Sequence, residues 1–132
     1  MKIVFIISFV ITCLACHKSS GVNNDPFVSV PVKVELRDLI NEASGIADSE
    51  KNPGNLWVEE DSGNPPQLIL LGHDGTIRKK IPLKGATNRD WEDVALSAVP
   101  GRQGSFLFIA ETGDNGQLFP NYLIYRFPEP FL

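Results

Sequence analysis

The chain has 132 residues, which leaves room for one domain and no more. Sixteen Asp and Glu against twelve Lys and Arg give a net charge of −4 without a basic stripe, which argues against nucleic acid as a partner. Hydrophobic residues make up 42% of the chain, a globular composition that excludes a disordered one.

Lys2 is followed by a nine-residue apolar stretch, residues 3–11 (IVFIISFVI), the length of a signal-peptide core. It is too short to span a bilayer, which takes about 20 apolar residues. Leu14-Ala15-Cys16 resembles the lipobox that closes bacterial lipoprotein signals, although Cys13 stands where a leucine is more usual. The resemblance implies that residues 1–15 are a signal peptide and that Cys16 becomes the lipidated first residue. An ordinary signal peptide cleaved nearby, with Cys16 a plain thiol, is the alternative. Both cysteines lie here, so the exported domain has no disulfide framework. Residues 16–26 (CHKSSGVNNDP) are polar, as a tether between membrane and domain would be. His17 is not the aspartate associated with inner-membrane retention, so the expected address is a bacterial envelope, at its outer membrane if there are two.

Residues 27–132 carry the fold. Leu36, Leu39 and Ile40 would suit one helical turn, and Asn88 or Asp90 would cap another, but no long stretch keeps helical spacing. Seven short segments read as strands in chain order: 44–48, 55–60, 67–71, 77–83, 93–98, 105–110 and 122–127. His73-Asp74-Gly75 between the third and fourth is a tight-hairpin signature, because Asp-Gly tolerates positive φ. Lys79-Lys80 reads as the solvated face of a strand.

The two halves repeat each other. LWVEEDSGN (56–64) lies over LFIAETGDN (107–115) at an offset of 51. EASGIA (42–47) lies over DWEDVA (90–95) at 48, and ILLG (69–72) over IYRF (124–127) at 55. A unit of about 50 residues with four short strands suits a β-propeller blade. The expected fold is therefore all-β, with about two four-stranded antiparallel blades, the second incomplete. Two blades cannot close a ring, so the chain is expected to be a fragment of a larger propeller.

The passages EASGIA, LWVEEDSGNPPQLILLGHDG, GATNRDWEDVA, LFIAETGDN and IYRFPEP resemble the opening of a family of exported bacterial propeller proteins. These are similar to six-bladed, TolB-like propellers, a group that includes phytase-like and gluconolactonase-like enzymes. The likeness covers about residues 33–130. Relative to that pattern the later blades are missing, and with them any site they would build.

Consecutive antiparallel strands put the starts of first strands and the ends of second strands on one rim. That rim gathers Glu42, Glu60, Asp61, Asp90, Glu92, Asp93, Glu111 and Asp114 against a single cation, Arg89. Packed carboxylates repel, and Ca²⁺ would relieve them, since it accepts six to eight oxygens in flexible geometry. The candidate metal ligands are Glu42, Asp61, Asp90, Glu92, Asp93 and Asp114. Asn64, Asn88 and Asn115 offer neutral oxygens as ligand-binding residues. The gluconolactonase-like resemblance implies a Glu before the first inner strand as a metal ligand, which singles out Glu42, with Asp90 its repeat equivalent. Asp, Asn, Ser and Gly are equally the residues of ordinary turns, and that reading stays open. Trp57 suits a core position, while Trp91, flanked by charges, suits either a core or a surface for stacking on a sugar. Ser44 and Ser62 have no histidine partner for a hydrolase triad, and there is no Cys or His pair at zinc spacing.

The functional expectation is an envelope-anchored lipoprotein with a partial propeller domain that binds a ligand or serves as a scaffold. Its partners would be the membrane, through the lipid, and a carbohydrate, small molecule or protein. The alternatives are a Ca²⁺-dependent phosphoester or lactone hydrolase of phytase-like plan, or a truncated remnant without activity.

Overall fold

The computed structural model describes residues 30–36 and 40–132. The signal peptide, Cys16 and the tether lie outside the described residues, as do residues 37–39 of the expected helical turn. The chain divides into two units, Met1–Val32 and Lys33–Leu132, and every strand belongs to the second.

The described residues are all-β. β1 (Ala43–Asp48), β2 (Asn55–Glu60), β3 (Gln67–Gly72) and β4 (Ile77–Pro82) form one antiparallel sheet in that order. β5 (Trp91–Ala98), β6 (Ser105–Glu111) and β7 (Leu123–Pro128) form a second, again in sequence order. These are the seven expected strands, with ends shifted by up to two residues. The β3–β4 connection is the tight turn that Asp-Gly foretold. Gly75 sits at φ 79° and donates to the Gly72 carbonyl, while Asp74 Oδ1 accepts from Thr76 N.

Alternation along each strand sends neighbouring side chains to opposite faces. Trp57, Leu68 and Leu70 of the first sheet meet Trp91, Val94, Leu107 and Ile109 of the second, forming the larger core. On the far face of the first sheet, Val58, Ile69 and Leu71 form a smaller cluster with Ile40, Leu56 and Ile77. β1 packs along β5, while β4 and β7 lie apart, so the sheets meet at their inner strands and splay outward. Leu83 and Ala86 of the β4–β5 connection fill the opening against the core.

The repeat survives in three dimensions. One repeat on, Leu56 and Val58 become Leu107 and Ile109, and Trp57 becomes Phe108. Leu107 and Ile109 face the preceding sheet, while Leu56 and Val58 occupy the equivalent face of the first sheet, away from the second. The backbone irregularities repeat as well. Pairing slips between Ala43 and Gly45 in β1 and between Trp91 and Asp93 in β5, at the offset of 48 already seen in the sequence. A bulge is a local geometric commitment, and finding it twice in register marks one structural unit used twice.

Candidate functional site: an acidic rim and a buried clasp

The upper rim, where β1 and β5 begin and β2 and β6 end, gathers the acids. The bulge in β5 turns Trp91 inward and leaves Glu92 and Asp93 exposed. Asp90, just before it, is only 8% exposed. Gly113 lets these acids pack tightly. A Cβ there would lie 2.4 Å from the Asp90 carboxyl and 2.3 Å from Glu92 Oε1, so the two carboxyls sit against one bare backbone position. Burial pushes the Asp90 carboxyl above its ordinary range, helped by a hydrogen bond to Asp61 and by the charges of Asp61 and Asp114.

Arg89 does not neutralise this pair. Its Nε donates to Glu111 Oε1, its other nitrogens reach Asn121, and its guanidinium lies 4.5 Å from the Phe119 ring centroid. Glu111 Oε2 stays buried with no partner among the described residues.

Several expected ligands serve the fold instead. Asp114 accepts from Leu118 N at 2.6 Å and Phe119 N at 3.0 Å, so both its oxygens stabilise a turn. Asn88 donates from Nδ2 to the carbonyls of Glu60 and Asp61, bracing one sheet against the other. Its Oδ1 accepts from Trp91 N, three residues on, as a helix cap would, but the chain continues into β5. Asn64 donates to the Asp61 carbonyl and accepts from Asn41. Glu60 accepts from Asn41 N and Gln67 Nε2. Asn115 is exposed, and so is Glu42, whose φ of 50° places it in a turn and whose carbonyl accepts from Asp61 N.

Trp91 is corrected outright as a stacking surface. It is fully buried, donates from Nε1 to the Thr87 carbonyl and meets Tyr125 edge-on at 6.1 Å. Its place in the repeat explains this, since the bulge points it into the core while its charged neighbours face water.

Two residues outside the expected set are the most telling. Glu59 is fully buried between the sheets, on the same face of β2 as Trp57. Burial pushes its carboxyl up to about 7, against a hydrogen bond from Ser44 that pulls it down and with the charges of Asp61, Asp93 and Glu92 adding to the rise. Its Oε2 has no partner among the described residues. The sequence signal was an acid at a core-facing position of a strand.

At the lower rim, Glu129 is a buried carboxylate that ties the end of β7 to both sheets. Its Oε1 accepts from Ser49 Oγ and from Trp57 Nε1 at 2.9 Å, its Oε2 accepts from Ser105 Oγ, and Lys51 N reaches both oxygens at 3.2 Å. Burial works to raise this carboxyl, but the donors from Ser105, Ser49, Trp57 and Lys51 outweigh it and hold it below the ordinary range.

Among the described residues, no group of three or more His, Cys, Asp or Glu is arranged to hold a metal ion. The rim is crowded with acids, and several of them already accept from turn amides and side-chain donors. Compared with known proteins, the chain matches no family model, no curated protein and no solved structure.

Proposed function

We propose that this chain is an envelope-anchored lipoprotein whose sheets are propeller-type repeats and whose role is ligand binding or scaffolding rather than catalysis. The observation that carries the propeller reading is the repeated bulge. The second sheet reproduces the first and stacks on it head to tail through the inner strands, the arrangement from which a ring is built. The anchor reading rests on LAC at residues 14–16. Its test is expression of the full chain in a bacterial host fed radiolabelled palmitate. Label and membrane association should both depend on Cys16 and vanish in Cys16→Ser. Equal labelling of the variant would sink the lipoprotein reading.

A second reading, a Ca²⁺-dependent hydrolase, draws on the crowded rim acids, because a cation would relieve the Asp90 and Glu92 carboxyls packed against Gly113. Thermal melts with Ca²⁺, Mg²⁺ and chelator test it. A Ca²⁺-specific rise, lost in Asp90→Asn and Glu92→Gln, supports a metal at this rim. A melt indifferent to Ca²⁺ leaves the acids as structural turns.

A further inference from the structure

Between the β1–β2 connection and the start of β4 lies a pocket of about 510 Å³, lined by Lys51, Asn52, Asn55, Arg78, Lys79 and Phe131 among others. Three cations thus face one cavity in a chain whose net charge is −4. Arg78 is paired with exposed Asp74 at 2.8 Å, and Lys51 Nζ donates to the Glu129 carbonyl at 2.8 Å. The Glu129 carboxylate is turned to Ser49, Ser105 and Trp57. Lys79 has no ion-pair partner among the described residues.

The wall of this pocket is built, not draped. Asn52 is held by Ser49 Oγ, by the Pro130 carbonyl and by Leu132 N. Asn55 donates from Nδ2 to the carbonyls of Asn52 and Pro53, which fixes the sense of its amide. Its Oδ1 is then a buried acceptor without a partner among the described residues. Buried acceptors are normally satisfied, so this one asks for a donor from outside the chain.

We propose that the pocket binds a small anion that also carries hydroxyl groups, with Lys79 and Arg78 meeting the charge and Asn55 Oδ1 accepting from a hydroxyl. Charge-assisted bonds to Lys and Arg hold the anionic head. A cavity of this size lies within the range of small-molecule sites. It opens on the rim opposite the acids, so it is independent of any cation there.

The test is calorimetric titration of the detergent-solubilised full chain with glucuronate, glucose 6-phosphate, inorganic phosphate and glucose. One of the two hydroxylated anions should bind saturably, at least tenfold more tightly than glucose or inorganic phosphate. Which of them does so tells a carboxylate from a phosphate. Lys79 is exposed on its strand, so Lys79→Ala should fold as the parent does and weaken binding about tenfold. Arg78→Ala, checked by its melt, gives a second variant with the same expectation. No saturable binding at millimolar ligand, binding of glucose or inorganic phosphate as tight as that of the hydroxylated anions, or unchanged affinity in both variants overturns the proposal.

Discussion

Ser44 Oγ lies 2.7 Å from Glu59 Oε1 and 2.9 Å from the Trp91 carbonyl oxygen, linking β1, β2 and β5 at one point. A hydroxyl has one proton and cannot donate fully to two acceptors. Ser44 therefore divides its one proton between the Glu59 carboxyl and the Trp91 carbonyl, which leaves Glu59 short of a full donor in the core. Burial outweighs that shared bond and pushes the Glu59 carboxyl up to about 7.

The pH dependence follows from that raised carboxyl. Free of the fold, Glu59 would titrate near 4.5, and in the folded chain it titrates near 7. Between those values the folded state holds the extra proton, so the Glu59 contribution is fully present below about 4.5 and is lost as pH rises through about 7. A shift of this size is worth at most about 3 kcal/mol. Glu59→Gln, a neutral mimic of the protonated acid, should lose most of this decline and exceed the parent in stability at pH 8. Urea unfolding at pH 5 and pH 8 measures it. Parallel declines in both proteins would assign the effect to another group, with Asp90 the next in line.

Gly45 makes the close approach of β1 and β5 possible. A Cβ there would meet Val94 N at 2.3 Å, Glu59 Oε1 at 2.7 Å and the Asp93 carbonyl carbon at 2.8 Å. Two of these are backbone atoms of the facing sheet, which cannot yield as a flexible side chain does. Gly45→Ala should therefore force the inner strands apart and cost about 1–3 kcal/mol or more. The melting temperature checks it, and an unchanged melt would mean that the sheets do not meet along these strands.

Much of the fold was legible because it rests on local pattern. Alternation and turn residues marked all seven strands, and the repeat of LWVEEDSGN in LFIAETGDN marked β2 and β6 as equivalent strands. The site was less legible because its chemistry depends on which way each side chain turns. Trp91 among charges reads as either core or surface in the sequence, and a one-residue bulge decides it by burying the indole and turning Glu92 out. Asp114 and Asn88 carry the right atoms for a ligand, but neighbouring backbone groups already use them. Glu129 sits in a Pro-Glu-Pro run that reads as the approach to a further strand. Its donors come from Ser49, Lys51 and Trp57, about eighty residues earlier in the chain, and no local pattern reveals them.

The last prediction rests on that clasp. Glu129 joins β7 to the first sheet through buried donors, and truncating it would leave Ser49, Ser105 and Trp57 Nε1 without their acceptor. Removing one member of such a buried charged network costs about 3–5 kcal/mol. Glu129→Ala should lose that much, and Glu129→Gln less, because its amide oxygen still accepts while its NH₂ opposes Lys51 N. The sign with pH is opposite to that of Glu59. The folded carboxyl lies below its ordinary value of 4.5, so its contribution is full above 4.5 and is lost as pH falls through the folded value. Stability of the parent should therefore peak near the ordinary carboxyl range, with Glu59 shaping the fall above it and Glu129 the fall below. Denaturation followed by tryptophan emission would show the Glu129→Gln curve flattened on the acid side alone. If its acid limb instead overlies that of the parent, the carboxylate contributes no ionised stabilisation, and the clasp is held by packing.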